Sequence, residues 1–213
     1  MTLTFLRSCS RLFAPLGVLG LLALAPAARA DLIYDLTQDG CSGGCGPQVS
    51  FGQIDLHSIS LAEVQVTLTL FNGNEFVKTG NHNALTFNAD GGAATVTPVT
   101  TGFAVSSSTT NPSFGTFGYG ITCSGCGRGA SNPLPGPMMV DVSRITGLTP
   151  SVIANSGGFF FAADILSGTT GNMGAIAAIA SPVPEPSFYG ALALGLIGTL
   201  IALKRERKAR SQE

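Results

Sequence analysis

The chain has 213 residues, eleven lysines and arginines against twelve acids, and a formal net charge of −1. Charged residues make up 11% of it, well below the roughly 25% of an ordinary soluble domain, and the basic ones crowd the two ends. Residues 31–180 keep only Lys78, Arg128 and Arg144 against nine acids, a balance of −6 that excludes a nucleic-acid or anionic-lipid surface there.

At the N-terminus, Arg7 and Arg11 precede an apolar stretch over 12–25, and Pro26-Ala27-Ala28-Arg29-Ala30 follows. Ala28 and Ala30 occupy the small-residue positions of a signal-peptidase site. The pattern predicts a secretory signal peptide over 1–30, with cleavage leaving Asp31 as the new N-terminus. Cys9 lies before the apolar stretch, so it does not stand where a lipoprotein cysteine stands.

The next 150 residues read as short strands. The clearest is 63–71, where Val64, Val66, Leu68 and Leu70 alternate with Glu63, Gln65, Thr67 and Thr69. Period two gives one buried and one wet face. Further β-like runs lie at 32–36, 49–56, 84–87, 94–99, 102–106, 114–122, 138–145, 159–165 and 173–179. Turn-forming clusters separate them at 72–74, 88–92, 106–112, 131–137 and 155–158, rich in Asn, Asp, Gly and Pro. Such a series without an amphipathic helix predicts an all-β domain over 31–180, an antiparallel β-sandwich or jelly-roll-like fold. Phe159-Phe160-Phe161 reads as core; the alternative is an exposed aromatic platform for sugar. The chain has no Trp, so Tyr34, Tyr119 and the phenylalanines would have to do any such stacking.

Four cysteines follow the leader as two echoing pairs in glycine-rich turns, Cys41-Ser42-Gly43-Gly44-Cys45 and Cys123-Ser124-Gly125-Cys126. In an exported protein they predict two disulfides, with three connectivities open. Adjacency favours local pairing, Cys41 with Cys45 and Cys123 with Cys126. Cross-pairing would close longer loops and stabilise more, by about 3–5 kcal/mol on the chain-entropy account. In a reducing compartment the same C-x₃-C and C-x₂-C spacing could supply a Cys₄ zinc site.

The C-terminus is the most specific segment. Ser181-Pro182-Val183-Pro184-Glu185-Pro186-Ser187 leads into an apolar run over 188–203, then a basic cluster of Lys204, Arg205, Arg207, Lys208 and Arg210. Pro184 and Pro186 hold the motif extended. The apolar run approaches the ~20 residues of a membrane span, and the cluster after it sets a cytoplasmic C-terminus. Residues 181–213 thus predict a sorting signal with a transmembrane helix over 188–203. This order of parts resembles the PEP-CTERM sorting signal of Gram-negative bacteria. Stretches of the middle, Phe76-Val77-Lys78-Thr79-Gly80-Asn81-His82 among them, are similar to those of uncharacterised surface proteins with this tail. The resemblance implies export, transient anchoring in the inner membrane, recognition at Pro184-Glu185-Pro186 by an exosortase, and delivery to the cell surface or an exopolysaccharide or biofilm matrix.

Catalytic signals are sparse. His57 and His82 are the side chains that titrate near neutrality without perturbation, and neither sits in a G-x-S-x-G or H-E-x-x-H setting. Asp141 and Asp164 lie on expected strands and are the carboxylate pair to weigh for glycoside hydrolysis. No cofactor or metal site is assigned. Calcium is the ion that Asp35, Asp39 and Asp90 in glycine-rich loops would suit, although no EF-hand appears. The sequence therefore points to a non-enzymatic structural or adhesive surface protein. Its partners would be the exosortase, the exopolysaccharide matrix and, before cleavage, the membrane, with no nucleic acid. The alternative is a secreted carbohydrate-binding module or a hydrolase acting on polysaccharide.

Overall fold

The computed structural model describes residues 32–80, 82–90, 93–144, 152–179, 183–184, 195–199, 201 and 204. The expected signal-cleavage residues Ala28, Ala30 and Asp31 lie outside the described residues. So do Glu185 and Pro186 of the expected sorting motif, and Arg205, Arg207, Lys208 and Arg210 of the basic cluster.

Sixteen strands run in chain order among the described residues. They are β1 (Leu32–Leu36), β2 (Gln38–Cys41), β3 (Gly52–Ser58), β4 (Glu63–Leu70), β5 (Glu75–Lys78), β6 (Leu85–Phe87), β7 (Thr95–Pro98) and β8 (Phe103–Val105). Then come β9 (Thr110–Asn111), β10 (Gly115–Thr116), β11 (Tyr119–Cys123), β12 (Gly129–Leu134), β13 (Met138–Ser143), β14 (Phe161–Leu166), β15 (Met173–Ala178) and β16 (Val183–Pro184). All strand-to-strand pairings are antiparallel.

The first sheet has the order β16-β1-β3-β4-β13-β7. Alternation dictates its faces. Ile54 and Leu56 of β3, Val64, Val66 and Leu68 of β4, and Val140 and Val142 of β13 are all buried, while the residues between them are at least partly wet. Leu68 stands opposite Ile54 on one side and Met138 on the other, so the register stacks the apolar set into one stripe. At one edge, Pro98 of β7 offers no N–H to a further strand.

The second sheet has the order β12-β5-β14-β6-β11-β8, with β15 on the other side of β14 and β2 beyond β15. Its inner face presents Phe76, Leu85, Phe87, Phe103, Ile121, Phe161, Ala163, Ile165 and Ile176 to the apolar stripe of the first sheet, and together they form one core. Two antiparallel sheets packed face to face make the molecule sandwich-like. The outer face of β14 and β15 is covered too: Phe114 and Phe117, from the segment around β9 and β10, pack on Ala162, Ala175 and Ala177. A strand buried on both faces has no reason to alternate, and Phe161-Ala162-Ala163-Asp164-Ile165 is buried throughout.

Several sequence expectations shift. The run at 114–122 divides into β10 and β11 around Phe117-Gly118, where Asn88 Oδ1 accepts the Gly118 N–H at 2.6 Å and interrupts the ladder. The turn clusters at 106–112 and 131–137 contain β9 and part of β12. Strand β12 carries Asn132 and Pro133 because it is an edge, joined to β5 through an irregular register. Strands β2 and β5 lie in stretches assigned to no element, being short and, in β2, polar. Of the run 188–203, residues 195–199 and 201 are helical. Among the described residues no helix is long and apolar enough to cross a membrane.

Candidate functional site

The segment expected to be a sorting motif begins on the sandwich itself. Val183 pairs with Ile33 and Pro184 with Leu32, antiparallel along the outer edge of β1. Both residues that flank the expected processing points thus share one rim: β1 begins one residue after the expected new N-terminus, and β16 ends one residue before Glu185. An extended Val-Pro pair suits an edge, since Pro184 fixes its own φ and donates nothing outward. Lys204, the described member of the basic cluster, is helical and exposed.

The cysteines pair locally. Cys41 is bonded to Cys45 and Cys123 to Cys126, with Cα–Cα separations of 5.5 and 5.3 Å. Each of the four sulfurs is therefore spent on a neighbour, and none is a thiolate for a Cys₄ zinc tetrahedron. Asp39 supports the first loop: its Oδ1 accepts the Cys41 N–H at 2.9 Å and its Oδ2 the Cys45 N–H at 2.7 Å. The sequence offered no signal for this role beyond an acid two residues ahead of a cysteine in a glycine-rich turn. Asp39, Cys41 and Cys45 bring potential ligand atoms within 4.8 Å of one another. The disulfide and the two amide bonds already use them, so the cluster reads as a cap rather than a cation site.

Asp141 and Asp164, the carboxylates to weigh as a pair, belong to different sheets. Asp141 points from the outer face of the first sheet and accepts a hydrogen bond from Gln65 Nε2 at 3.0 Å. Asp164 is fully buried in the second sheet. Strands β5 and β6 lie end to end along the same side of β14, against Leu166 and Phe161 respectively. Asp164 faces the break between them. Its N–H donates to Asn83 O at 3.0 Å, and its Oδ2 accepts both the N–H and the hydroxyl of Thr79. His82 Nδ1 stands 3.4 Å from Oδ1, at ion-pair distance but without the alignment of a hydrogen bond. Burial pushes the Asp164 carboxyl above the ordinary carboxylate range, against the opposing pull of Thr79 and His82.

The remaining sequence-selected side chains are dispersed. His57 is exposed on β3. Asp35 and Asp90 are exposed in different parts of the fold, and Asp35 accepts a hydrogen bond from Gln53 at 3.4 Å. Tyr34, Tyr119 and Phe159 do not form a sugar platform. Tyr34 is 2% exposed and packs against Phe160 and Phe161; burial pushes its phenol up to about 12. Tyr119 stacks on Phe87 and its hydroxyl accepts the Ala94 N–H at 2.7 Å. Phe159 meets Phe114 edge to face at 4.8 Å.

Comparison with protein families, with curated proteins and with solved structures finds no match to this chain.

Proposed function

We propose that this chain is an exported structural or adhesive protein of the cell surface or extracellular matrix, a folded passenger between two processing signals. On this reading residues 1–30 direct secretion, and residues 181–213 hold the protein in the inner membrane through a helix over 188–203. An exosortase acts at Pro184-Glu185-Pro186, and the released domain joins an exopolysaccharide matrix. The domain is jelly-roll-like in that its chain passes repeatedly between the two sheets.

The observation that carries the reading is the position of Val183–Pro184 on the edge of β1. Val183 and Pro184 lie extended at the rim, beside the first residues of β1. The two closed cysteine pairs agree with an oxidising destination. Replacement of Glu185 by Ala tests it: the unprocessed chain should accumulate in the membrane fraction. Normal processing of that variant would remove the sorting signal from the account.

A further inference from the structure

Three turns meet at one corner of the sandwich: the loop of residues 42–51 after β2, the β4–β5 turn at 71–74, and the β14–β15 turn at 167–172. They enclose an open cleft of about 550 Å³ lined in part by Gln48, Val49, Ser50, Phe71, Asn72 and Thr169. That volume lies within the roughly 300–1,000 Å³ of small-ligand sites. No charged side chain lines it.

The cleft is built, not accidental. Gln48 is its hub. Its Nε2 donates to Cys45 O at 3.1 Å and Thr169 Oγ1 at 3.2 Å. Its Oε1 accepts from Asn72 Nδ2 at 2.9 Å and Asn74 Nδ2 at 3.2 Å. Behind it, the buried Asn74 also donates to Phe51 O at 3.0 Å and accepts the Gly168 N–H at 3.0 Å. Ser167 Oγ donates to Cys45 O at 2.7 Å, and Cys45 is itself tied to Cys41 by a disulfide. Gly168 is required here: a Cβ would come within 2.4 Å of Gly73 O and 2.5 Å of Asn72 O. One amide side chain with four partners, supported from behind by another, is a preorganised polar surface.

What faces outward is neutral. Among the described residues, no partner takes up the Asn72 Oδ1 or the proton of the Thr169 hydroxyl. Asn72 is fixed with φ 55°, so its side chain is aimed by the turn. Val49 stands 94% exposed beside Phe71, giving an apolar patch next to alternating amide and hydroxyl groups. That combination suits the hydroxyls and C–H face of a sugar ring. It does not suit a phosphate, sulfate or uronate, for which the cleft offers no cation and around which the domain carries −6.

We propose that this cleft is a binding site for an uncharged carbohydrate segment, with Asn72 and Thr169 as the hydrogen-bonding pair and Val49 and Phe71 as the apolar contact. The site stands independently of how the tail is processed. The test is affinity electrophoresis of the full chain, held in a detergent without a sugar head group. The gels contain an α-glucan, a β-glucan, a galactomannan or a xylan, with polygalacturonate as the anionic arm. The expected result is retardation by at least one neutral polysaccharide. Asn72→Gly, which keeps the backbone conformation, and Val49→Asp, at a position too exposed to affect folding, should each weaken it about tenfold. Retardation by none of the neutral gels, retardation by polygalacturonate alone, or unchanged retardation of both variants would overturn the proposal.

Discussion

His82 Nδ1 lies 3.4 Å from the Oδ1 of Asp164, an acid with no exposed surface, at the point where β5 stops and β6 has not yet begun. The pair holds the β5–β6 loop against the middle of β14, together with Thr79, whose N–H and hydroxyl both bind Oδ2. Because burial raises the Asp164 carboxyl above its unfolded value, the folded state holds this proton more tightly than the unfolded chain. The associated stability is fully present below the ordinary aspartate range and is lost as pH rises through the raised value. Asp164→Asn keeps the shape and cannot ionise. Thermal unfolding across acid to neutral pH should therefore show the variant gaining on the parent chain as pH rises. A constant difference across that range would mean that Asp164 does not titrate as described.

The core makes a second prediction. Phe161 is fully buried, with Tyr34 at 5.1 Å and Phe87 at 6.1 Å between ring centroids. It joins the first strand of one sheet to the central strand of the other. Phe161→Ala should cost about 3–5 kcal/mol in denaturant unfolding, against less than about 0.5 kcal/mol for Val49→Ala at the exposed cleft rim. Similar losses at the two positions would contradict the packing.

The short cysteine loops make a third. With separations of 4 and 3 residues, each bond constrains little of the unfolded chain, and its contribution should be about 2 kcal/mol. The double variant Cys123→Ser with Cys126→Ser should still fold, with its unfolding free energy in denaturant lowered by about 2 kcal/mol. Peptide mapping without reductant should recover each pair within its own segment, 41–45 and 123–126. A linked peptide joining the two segments would exclude this connectivity.

Much of the fold was legible where burial is one-sided. In β4 the alternation of Val64, Val66 and Leu68 with Glu63, Gln65 and Thr67 states both the strand and its inward face. Legibility fails where tertiary context replaces pattern. Residues 131–134 of β12 read as part of a turn cluster because an edge strand tolerates Asn and Pro. The run 114–122 looks continuous because nothing local reveals that Asn88 takes the Gly118 amide. Local cysteine pairing could be favoured from adjacency alone. The partnership of Thr79 with Asp164, 85 residues apart, and the hub at Gln48 could not, since uncharged amides carry no spacing that marks a site. Asp141 and Asp164 looked equivalent in sequence and are opposites in space, one on an outer face and one inside a sheet.

Intact mass of the protein recovered from outside the cell tests the central claim most directly, because it reads both ends and all four sulfurs at once. The account predicts a species that begins at Asp31, ends near Pro184-Glu185-Pro186 and does not react with thiol reagents until reduced. A full-length product with reactive cysteines, found in the cytosol, would contradict it.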